Sequence, residues 1–155
     1  MFSTIIIIFL IMNGFNVPDE LYNSAFITEN QVIEMFSDQE SECLAKTLYF
    51  EARGESEEGI YAVADVVLNR KLDKKYPDTI CGVVNQKGQF TYNHSLKPKN
   101  ERVYQRMKYI AIKSIFTHTD NGILYYHNTT VNPKWSKRLE KVAKIDNHVF
   151  YKRKS

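Results

Sequence analysis

Five consecutive residues, Glu51 to Glu55, form the densest group of side chains that could do chemistry, and they read Glu-Ala-Arg-Gly-Glu. Leu44, Leu48 and Glu51 are spaced as i, i+4 and i+7, so a helix places Glu51 at the end of an apolar stripe. A carboxyl group is costly to ionise in such surroundings, and a general acid must keep its proton near neutral pH. The spacing therefore makes Glu51 a candidate general acid.

The same segment also allows an ordinary structural role for Glu51. An ion pair with Arg53 or Arg70 at the helix end would need no substrate, because structural ion pairs also perturb carboxyl groups. Glu55 follows four residues later, but Gly54 lies between the two acids, so they need not share a helical face. That glycine leaves room for a bulky ligand to approach the backbone.

Two further segments combine rings, amides and hydroxyls, which is the mixture that a sugar-binding groove uses. Gly88 to Asn93 reads Gly-Gln-Phe-Thr-Tyr-Asn, although the same composition suits an ordinary surface loop. Leu124 to Asn128 overlaps a predicted strand whose period of two places Tyr126 on the face opposite to His127, so that one face should enter the core and the other a cleft. Trp135, the single tryptophan, either covers the sheet or stacks on a sugar.

Helices precede a small sheet in the predicted order of elements. A first helix ends at Gly54 as at a C′ glycine, and Ser56 caps a second helix whose core-facing stripe is regular. This stripe consists of Ile60, Val63, Ala64, Val67 and Leu68. A third helix covers residues 101–116, and residues 123–127 and 148–152 form an antiparallel pair of strands around an irregular excursion. The sequence therefore predicts an α+β fold.

The N-terminal part of the chain is predicted to lie outside the compact domain. Residues 1–16 contain the apolar run Ile5 to Met12, which has the length of a signal-peptide core, so we expect a signal peptide or signal anchor. A buried β-strand is the alternative for consecutive isoleucines. Residues 17–39 are predicted to be a polar linker with one short helix, residues 29–36, and the compact domain to occupy residues 40–155.

Charge, histidine and cysteine content bear on several classes of protein. The net charge is +3 and basic residues concentrate after residue 133, which suits a polyanion, but no zinc-finger spacing, basic zipper or aromatic RNA-binding signature points to nucleic acid. The four histidines show no HExxH or comparable spacing, so neither a metal nor a cofactor is expected. Cys43 and Cys81 lack CxxC spacing, and the sequence leaves their pairing open while favouring two buried thiols.

Six motifs in one order resemble the SleB-type cell-wall hydrolases, a family named for a spore-cortex-lytic enzyme. They are Glu51-Ala-Arg-Gly-Glu55, the helix end Val67-Leu-Asn-Arg70, the loop containing Phe90, Tyr125-Tyr-His127, Pro133-x-Trp135 and His148-Val-Phe-Tyr151. The resemblance covers about residues 43 to 152. This sequence differs from the family's usual pattern at Asp146-Asn147, where a glycine-containing turn normally precedes the histidine.

The resemblance implies a helix-rich domain like lysozyme and lytic transglycosylases, with a small antiparallel sheet near the C-terminus. It also implies cleavage of the β-1,4 bond between N-acetylmuramic acid and N-acetylglucosamine in peptidoglycan. The catalytic glutamate of the family's motif carries over to Glu51, and our hypothesis is a lytic transglycosylase in which Glu51 is acid and then base. The residues expected to support it or to line the groove are Glu55, Gln89, Phe90, Tyr126, His127, Asn128 and Trp135.

Three other functions remain open at this point. A hydrolytic muramidase would use Glu55 or Asp65 to act on water, and a cysteine peptidase or amidase would use Cys81 with a histidine. A non-catalytic wall-binding module would use the basic and aromatic residues. We expect a monomer that is exported to the periplasm or cell wall, or a phage protein released to the wall during lysis, with weak membrane association through residues 5–12.

Overall fold

The computed structural model describes residues 28–90, 92 and 95–155, so the apolar segment predicted at residues 1–16 lies outside the described residues. Within the described part, five α-helices precede a small sheet, which confirms the predicted α+β fold. The helices are α1 (Glu29–Phe36), α2 (Gln39–Ala52), α3 (Glu57–Leu72), α4 (Ile80–Val84) and α5 (Glu101–Thr117). They are followed by β1 (Ile123–Asn128), a 3-10 helix (Lys134–Arg138), β2 (Glu140–Ile145) and β3 (His148–Lys152). Among these helices, none has both the length and the apolar composition needed to cross a membrane.

One apolar core joins α2, α3 and α5 to the sheet. Leu44 and Leu48 of α2 are fully buried, as are Val63 and Val67 of α3 and Phe150 of β3. Every residue of the predicted α3 stripe is buried, which confirms that stripe. Burying side chains of this size contributes about 1.5–3 kcal/mol each. The core therefore holds the helices and the sheet as one unit.

The chain turns sharply between α2 and α3. Arg53 caps α2 in a right-handed conformation, and Gly54 follows it at the predicted position but without a positive φ angle. A left-handed glycine is therefore not what ends the helix. A Cβ atom at Gly54 would meet no other atom within 4 Å, so packing does not require glycine there. Ser56 begins α3 in an extended conformation, and its side chain accepts a backbone amide as the predicted cap.

Helix α1 packs against the compact domain. Thr28 caps it, and its buried residues Val32 and Ile33 contact Ile112 of α5. The short helix predicted within the linker is therefore confirmed, and its apolar side packs against α5. Only two residues of this helix are buried, so the mostly polar sequence gives little indication that it packs against the domain.

In the described part of the chain, the sheet has three antiparallel strands in the order β1-β3-β2. Strand β3 is central and the most buried, and it pairs with β1 as predicted, with Tyr126 opposite Phe150. The sequence does not predict β2, because its residues are mostly exposed and carry several charges. The predicted irregular excursion therefore contains a 3-10 helix and a strand.

Two side chains of α3 bind the start of β1. The side-chain amide of Asn69 donates to the Ile123 carbonyl oxygen at 2.8 Å, and Arg70 Nε donates to the Leu124 carbonyl oxygen at 2.8 Å. Asn69 and Arg70 are both buried. These bonds fix β1 against α3 and so determine where Tyr126 lies.

A disulfide bond joins Cys43 of α2 to Cys81 of α4. The expectation of two buried thiols is therefore wrong, since the α-carbon atoms are 5.3 Å apart and within bonding range. Glu40 links the same helices, because its carboxylate accepts from the Ile80 and Cys81 amides at 2.5 and 3.3 Å. The sequence could not show this proximity, because 38 positions separate the two cysteines.

Replacing both cysteines by alanine should lower the free energy of unfolding by about 2–4 kcal/mol, because the bond closes a loop in the unfolded chain. Urea unfolding followed by circular dichroism measures this difference. The unmodified protein should show a similar loss in a reducing agent, whereas the alanine variant should not respond to it. Equal midpoints for the unmodified protein with and without reductant would contradict the bond.

Candidate active site

Glu51 lies in the last turn of α2 and is partly buried. Its Oε2 atom accepts a hydrogen bond from the Tyr126 hydroxyl of β1 at 3.1 Å. The two residues are 75 positions apart in the sequence, and the bonds between α3 and β1 bring them together. The predicted acid therefore has a phenol as its hydrogen-bonding neighbour.

Tyr126 acts as the donor in this contact. Burial raises the pKa of Tyr126 well above its usual value, and the Glu51 carboxylate raises it further through its charge and its hydrogen bond. The phenol therefore keeps its proton at neutral pH. A protonated phenol can donate to a carboxylate oxygen. The contact therefore fixes the orientation of the Glu51 carboxyl group.

Two buried rings of β3 hold Tyr126 in place. Its ring centroid lies 5.0 Å from that of His148 in an edge-to-face arrangement and 5.7 Å from that of Phe150. Burial lowers the pKa of His148, although the carboxylates of Glu55 and Glu51 act in the opposite direction. His148 is therefore a neutral ring at neutral pH. His148 therefore supports Tyr126 by packing of the two rings.

Glu55 is bound to the turn between β2 and β3. Its carboxylate accepts from the backbone amide and the side-chain amide of Asn147, at 3.0 and 3.2 Å. In return, the Asp146 carboxylate accepts from the amide and the hydroxyl of Ser56, at 2.8 and 2.5 Å, and Asp146 has a left-handed φ of 48°. A Cβ atom at Gly59 would lie only 2.6 Å from this carboxylate, so glycine makes room for the turn. The turn between β2 and β3 thus docks on the junction of α2 and α3.

A cavity of about 500 Å³ lies next to Tyr126. Its lining includes Arg70, Tyr76, Gln89, Tyr126, Trp135 and Arg138. Gln89 and Trp135, both predicted to contact substrate, are exposed at this cavity. The volume is within the range of small-ligand sites. Tyr126 connects the cavity to Glu51, because it lines the cavity and also binds the Glu51 carboxylate.

His127 and Asn128 make contacts away from Glu51. His127 Nδ1 lies 2.8 Å from the Asn128 carbonyl oxygen, and Nε2 lies 2.9 Å from the Tyr151 hydroxyl. Since a carbonyl oxygen only accepts, Nδ1 carries a proton and donates to it, and Nε2 forms the hydrogen bond with the Tyr151 hydroxyl. The Asn128 side chain accepts from the Thr130 amide at 2.9 Å in a local turn. The structure therefore does not bring these two predicted residues to Glu51.

Phe90 and Trp135 take different positions. Phe90 is buried in the core, where the Arg70 guanidinium lies 5.7 Å from its ring centroid, so it supports the site from within. Trp135 is partly exposed and packs against His127 and Tyr151, with ring centroids 5.6 and 5.7 Å apart. Trp135 combines the two alternatives that the sequence allows, because it covers the sheet and also lines the cavity.

Sequence reasoning misses three residues that shape the site: His148, Asn147 and Arg70 in its role as a cavity wall. The period of the strands could have found His148, because it pairs with Asn128 and so shares a face with Tyr126. No pattern in the sequence points to the other two contacts. They depend on how the turn and the helix are placed in the folded domain.

Acid should weaken the docked turn. The hydrogen bonds from Ser56 lower the pKa of the Asp146 carboxyl, so its charged form stabilises the fold above the unfolded-state pKa, and this contribution is lost as the pH falls through the lower folded-state pKa. The Asp146→Asn variant should therefore lose less stability than the unmodified protein between about pH 5 and about pH 2. Thermal unfolding measures this, with exposed Asp78→Asn as the control. Parallel pH profiles for D146N and the unmodified protein would contradict it.

Solved structures similar to this chain share its architecture. The catalytic domain of the germination-specific lytic transglycosylase SleB from Bacillus anthracis is 32% identical, with a TM-score of 0.61, over 76% of this chain and 97% of that one. The catalytic domain of the Bacillus cereus SleB protein is 30% identical, with a TM-score of 0.60, over 83% of this chain and 100% of that one. The helix-rich domain with its small C-terminal sheet is thus the fold of the SleB catalytic domain.

Curated relatives include the spore cortex-lytic enzymes of Bacillus cereus and Bacillus subtilis. They are 28% identical over 123 residues and 26% identical over 121 residues, covering 76% and 74% of this chain. This chain spans less than half the length of these relatives, at 46% and 38%. The cell wall hydrolase family matches residues 54–151, more than half of the chain, and the match begins just after Glu51. The chain therefore belongs to the cell wall hydrolase family, with a catalytic domain of the SleB type.

Proposed function

We propose that this protein is a lytic transglycosylase that cleaves the β-1,4 bond between N-acetylmuramic acid and N-acetylglucosamine in peptidoglycan, with Glu51 as its acid and base. The observation that carries the proposal is the hydrogen bond from the Tyr126 hydroxyl to the Glu51 carboxylate. The similarity to the Bacillus anthracis SleB domain, which is described as a lytic transglycosylase, supports the same reaction.

In the first step, Glu51 donates a proton to the glycosidic oxygen, and the bond from that oxygen to C1 of the muramic residue breaks. Because Oε2 accepts from Tyr126, the proton leaves from Oε1. Tyr126 stays bonded to Oε2 while the carboxylate forms, and a donor placed in advance stabilises the developing charge. The raised pKa of Tyr126 ensures that the phenol keeps its own proton throughout.

In the second step, the Glu51 carboxylate removes the proton from the 6-hydroxyl of the same muramic residue. The O6 atom bonds to C1 and closes a 1,6-anhydro ring, so no water is consumed. The proton returns to Glu51, which is then ready for the next cycle. One carboxyl group is sufficient because it alternates between acid and base.

A hydrolytic muramidase would need a second carboxylate to activate water. The two candidates are both bound to other side chains. Glu55 accepts from the Asn147 amides, and Asp65 accepts from the Asn121 side chain at 3.1 Å and lies 3.1 Å from His118 Nδ1. These contacts favour the transglycosylase route over hydrolysis.

The cysteine peptidase alternative loses its nucleophile. Cys81 is bonded to Cys43, so it has no thiol to be activated by a base. A wall-binding module without activity would have no use for a phenol that orients a partly buried carboxyl group. Both arguments favour a glycosidase centred on Glu51.

We also propose that the protein works outside the cytoplasm, in the periplasm or cell wall, or at the wall after release during phage lysis. Membership of the cell wall hydrolase family and the disulfide bond support this location, because disulfides persist in oxidising compartments. The signal peptide or signal anchor, the membrane association through residues 5–12 and the monomeric state stay predictions.

Glu51→Gln should remove most turnover, because glutamine keeps the shape of the side chain but cannot transfer the proton. A loss of about 10²–10⁴-fold is expected from proton transfer alone. Mass spectrometry of the soluble products from purified peptidoglycan measures it. The unmodified protein should release muropeptides that end in 1,6-anhydro-muramic acid.

The matched control for this experiment is Glu58→Gln, which changes an exposed glutamate in the first turn of α3 and should leave turnover unchanged. Products heavier by one water molecule would show hydrolysis and move the search for a second carboxylate to Glu55. Undiminished turnover by the Glu51→Gln variant would contradict the role of Glu51.

Tyr126→Phe should lower kcat about 10-fold, since it removes one hydrogen bond to a charged group and keeps the ring. Tyr104→Phe is the matched control, because the Tyr104 hydroxyl also donates to a carboxylate, that of Glu42 at the other end of α2, at 2.6 Å. Thermal unfolding of both variants reports any loss of fold. Equal effects of the two substitutions on kcat would contradict a specific role for the Tyr126 hydroxyl.

A further inference from the structure

The cavity beside Tyr126 carries a positive charge that no carboxylate of the described residues pairs with. Arg70 lines the cavity and is only 5% exposed. Its Nε atom donates to the Leu124 carbonyl oxygen, whereas its Nη1 atom is buried without a hydrogen-bond partner. The guanidinium lies 5.3 and 5.7 Å from the ring centroids of Tyr76 and Phe90. None of the ion pairs formed by the described residues includes Arg70.

A buried arginine without a carboxylate partner is unusual. Charged side chains are almost never fully buried unless they are paired. Burial lowers the pKa of Arg70, but a guanidinium stays charged in proteins, so the positive charge persists. An uncompensated buried charge is strongly destabilising. An anion bound in the cavity would supply the missing partner.

The remaining lining suits an anionic group attached to a sugar. Arg138 adds a second guanidinium, and no aspartate or glutamate of the described residues lines the cavity. Asp73, which follows α3, is already paired with Arg153. Trp135 offers a ring face and Gln89 an amide, which are the groups that contact sugar faces and hydroxyls.

We propose that this cavity is a subsite for a carboxylate group carried by the glycan substrate, with Arg70 and Arg138 as its cationic ligands. A guanidinium donates strong charge-assisted hydrogen bonds to a carboxylate. Because Arg70 Nε is already bonded to the Leu124 carbonyl oxygen, only the Nη atoms of Arg70 are left for an anion. In the peptidoglycan strand the muramic residue carries such groups, either as its lactyl carboxylate or in the stem peptide attached there, whereas N-acetylglucosamine has none. The inference rests on the proposed function. It also predicts which sugar lies next to the acid, because only the Tyr126 side chain separates a muramic residue bound in this cavity from Glu51.

Calorimetric binding to the full chain carrying Glu51→Gln tests the subsite without turnover. The probes are a peptidoglycan tetrasaccharide with stem peptides, the same glycan with free lactyl carboxylates, and the neutral N-acetylglucosamine tetramer. A carboxylate-bearing probe should bind about 10-fold more tightly than the neutral one, and less so at high salt. Tight binding of the peptide-free glycan assigns the lactyl group, and tight binding of the peptide-bearing glycan alone assigns the stem peptide. Equal binding of all three probes overturns the proposal.

Arg138→Gln in the same background should weaken the carboxylate-bearing probe about 10-fold and leave the neutral probe unchanged. Lys137→Gln is the matched control, because it removes the same charge from the adjacent exposed position, which is not part of the cavity lining. Arg70→Lys, with its fold checked by thermal unfolding, should also weaken binding of the charged probe, since an ammonium group does not reproduce the planar guanidinium. Equal losses from R138Q and K137Q would overturn the subsite.

Turnover of purified peptidoglycan by the protein with native Glu51 is measured in parallel, so that the two proposals fail separately. Normal turnover together with binding that ignores charge overturns the subsite alone. Absent turnover together with charge-selective binding overturns the cleavage mechanism and supports the subsite.

Discussion

A carboxyl group at the border of an apolar core needs a donor, and the Tyr126 hydroxyl meets this need for Glu51. The donor can keep its place only because the rings of His148 and Phe150 on β3 hold it. Strand β3 begins directly after the turn that docks on the junction of α2 and α3. The position of the Glu51 carboxyl group therefore depends on β3 and the turn before it as well as on α2.

The two glutamates of one short motif differ because they meet different partners. Glu51 meets a phenol that stays protonated and donates to its Oε2 atom. Glu55 meets the backbone and side-chain amides of Asn147, which fix it as an acceptor. Glu55 therefore binds the turn between β2 and β3, which leads into His148. The Asn147 residue of this turn supplies the groups for this contact.

Local signals in the sequence predict the helical part of the fold well, because caps and stripes are properties of neighbouring residues. The Ser56 cap and the buried stripe of α3 are examples. Glu51 and Tyr126 can each be named from their segments, but their bond spans 75 positions and depends on the side chains that tie β1 to α3. The disulfide and β2 cannot be predicted from the sequence, for two physical reasons. Proximity of two cysteines is a tertiary property, and an exposed, charged strand gives no alternating signal.

The bonds from Asn69 and Arg70 to the carbonyl oxygens of β1 have a consequence for self-association. The outer strand of a sheet normally offers unpaired backbone groups to any other extended chain, which promotes aggregation and strand exchange. Here two α3 side chains already bind carbonyl oxygens at the start of β1, and an incoming strand that needs these acceptors would have to displace them. The start of the strand that carries Tyr126 therefore offers fewer free acceptors to a second chain.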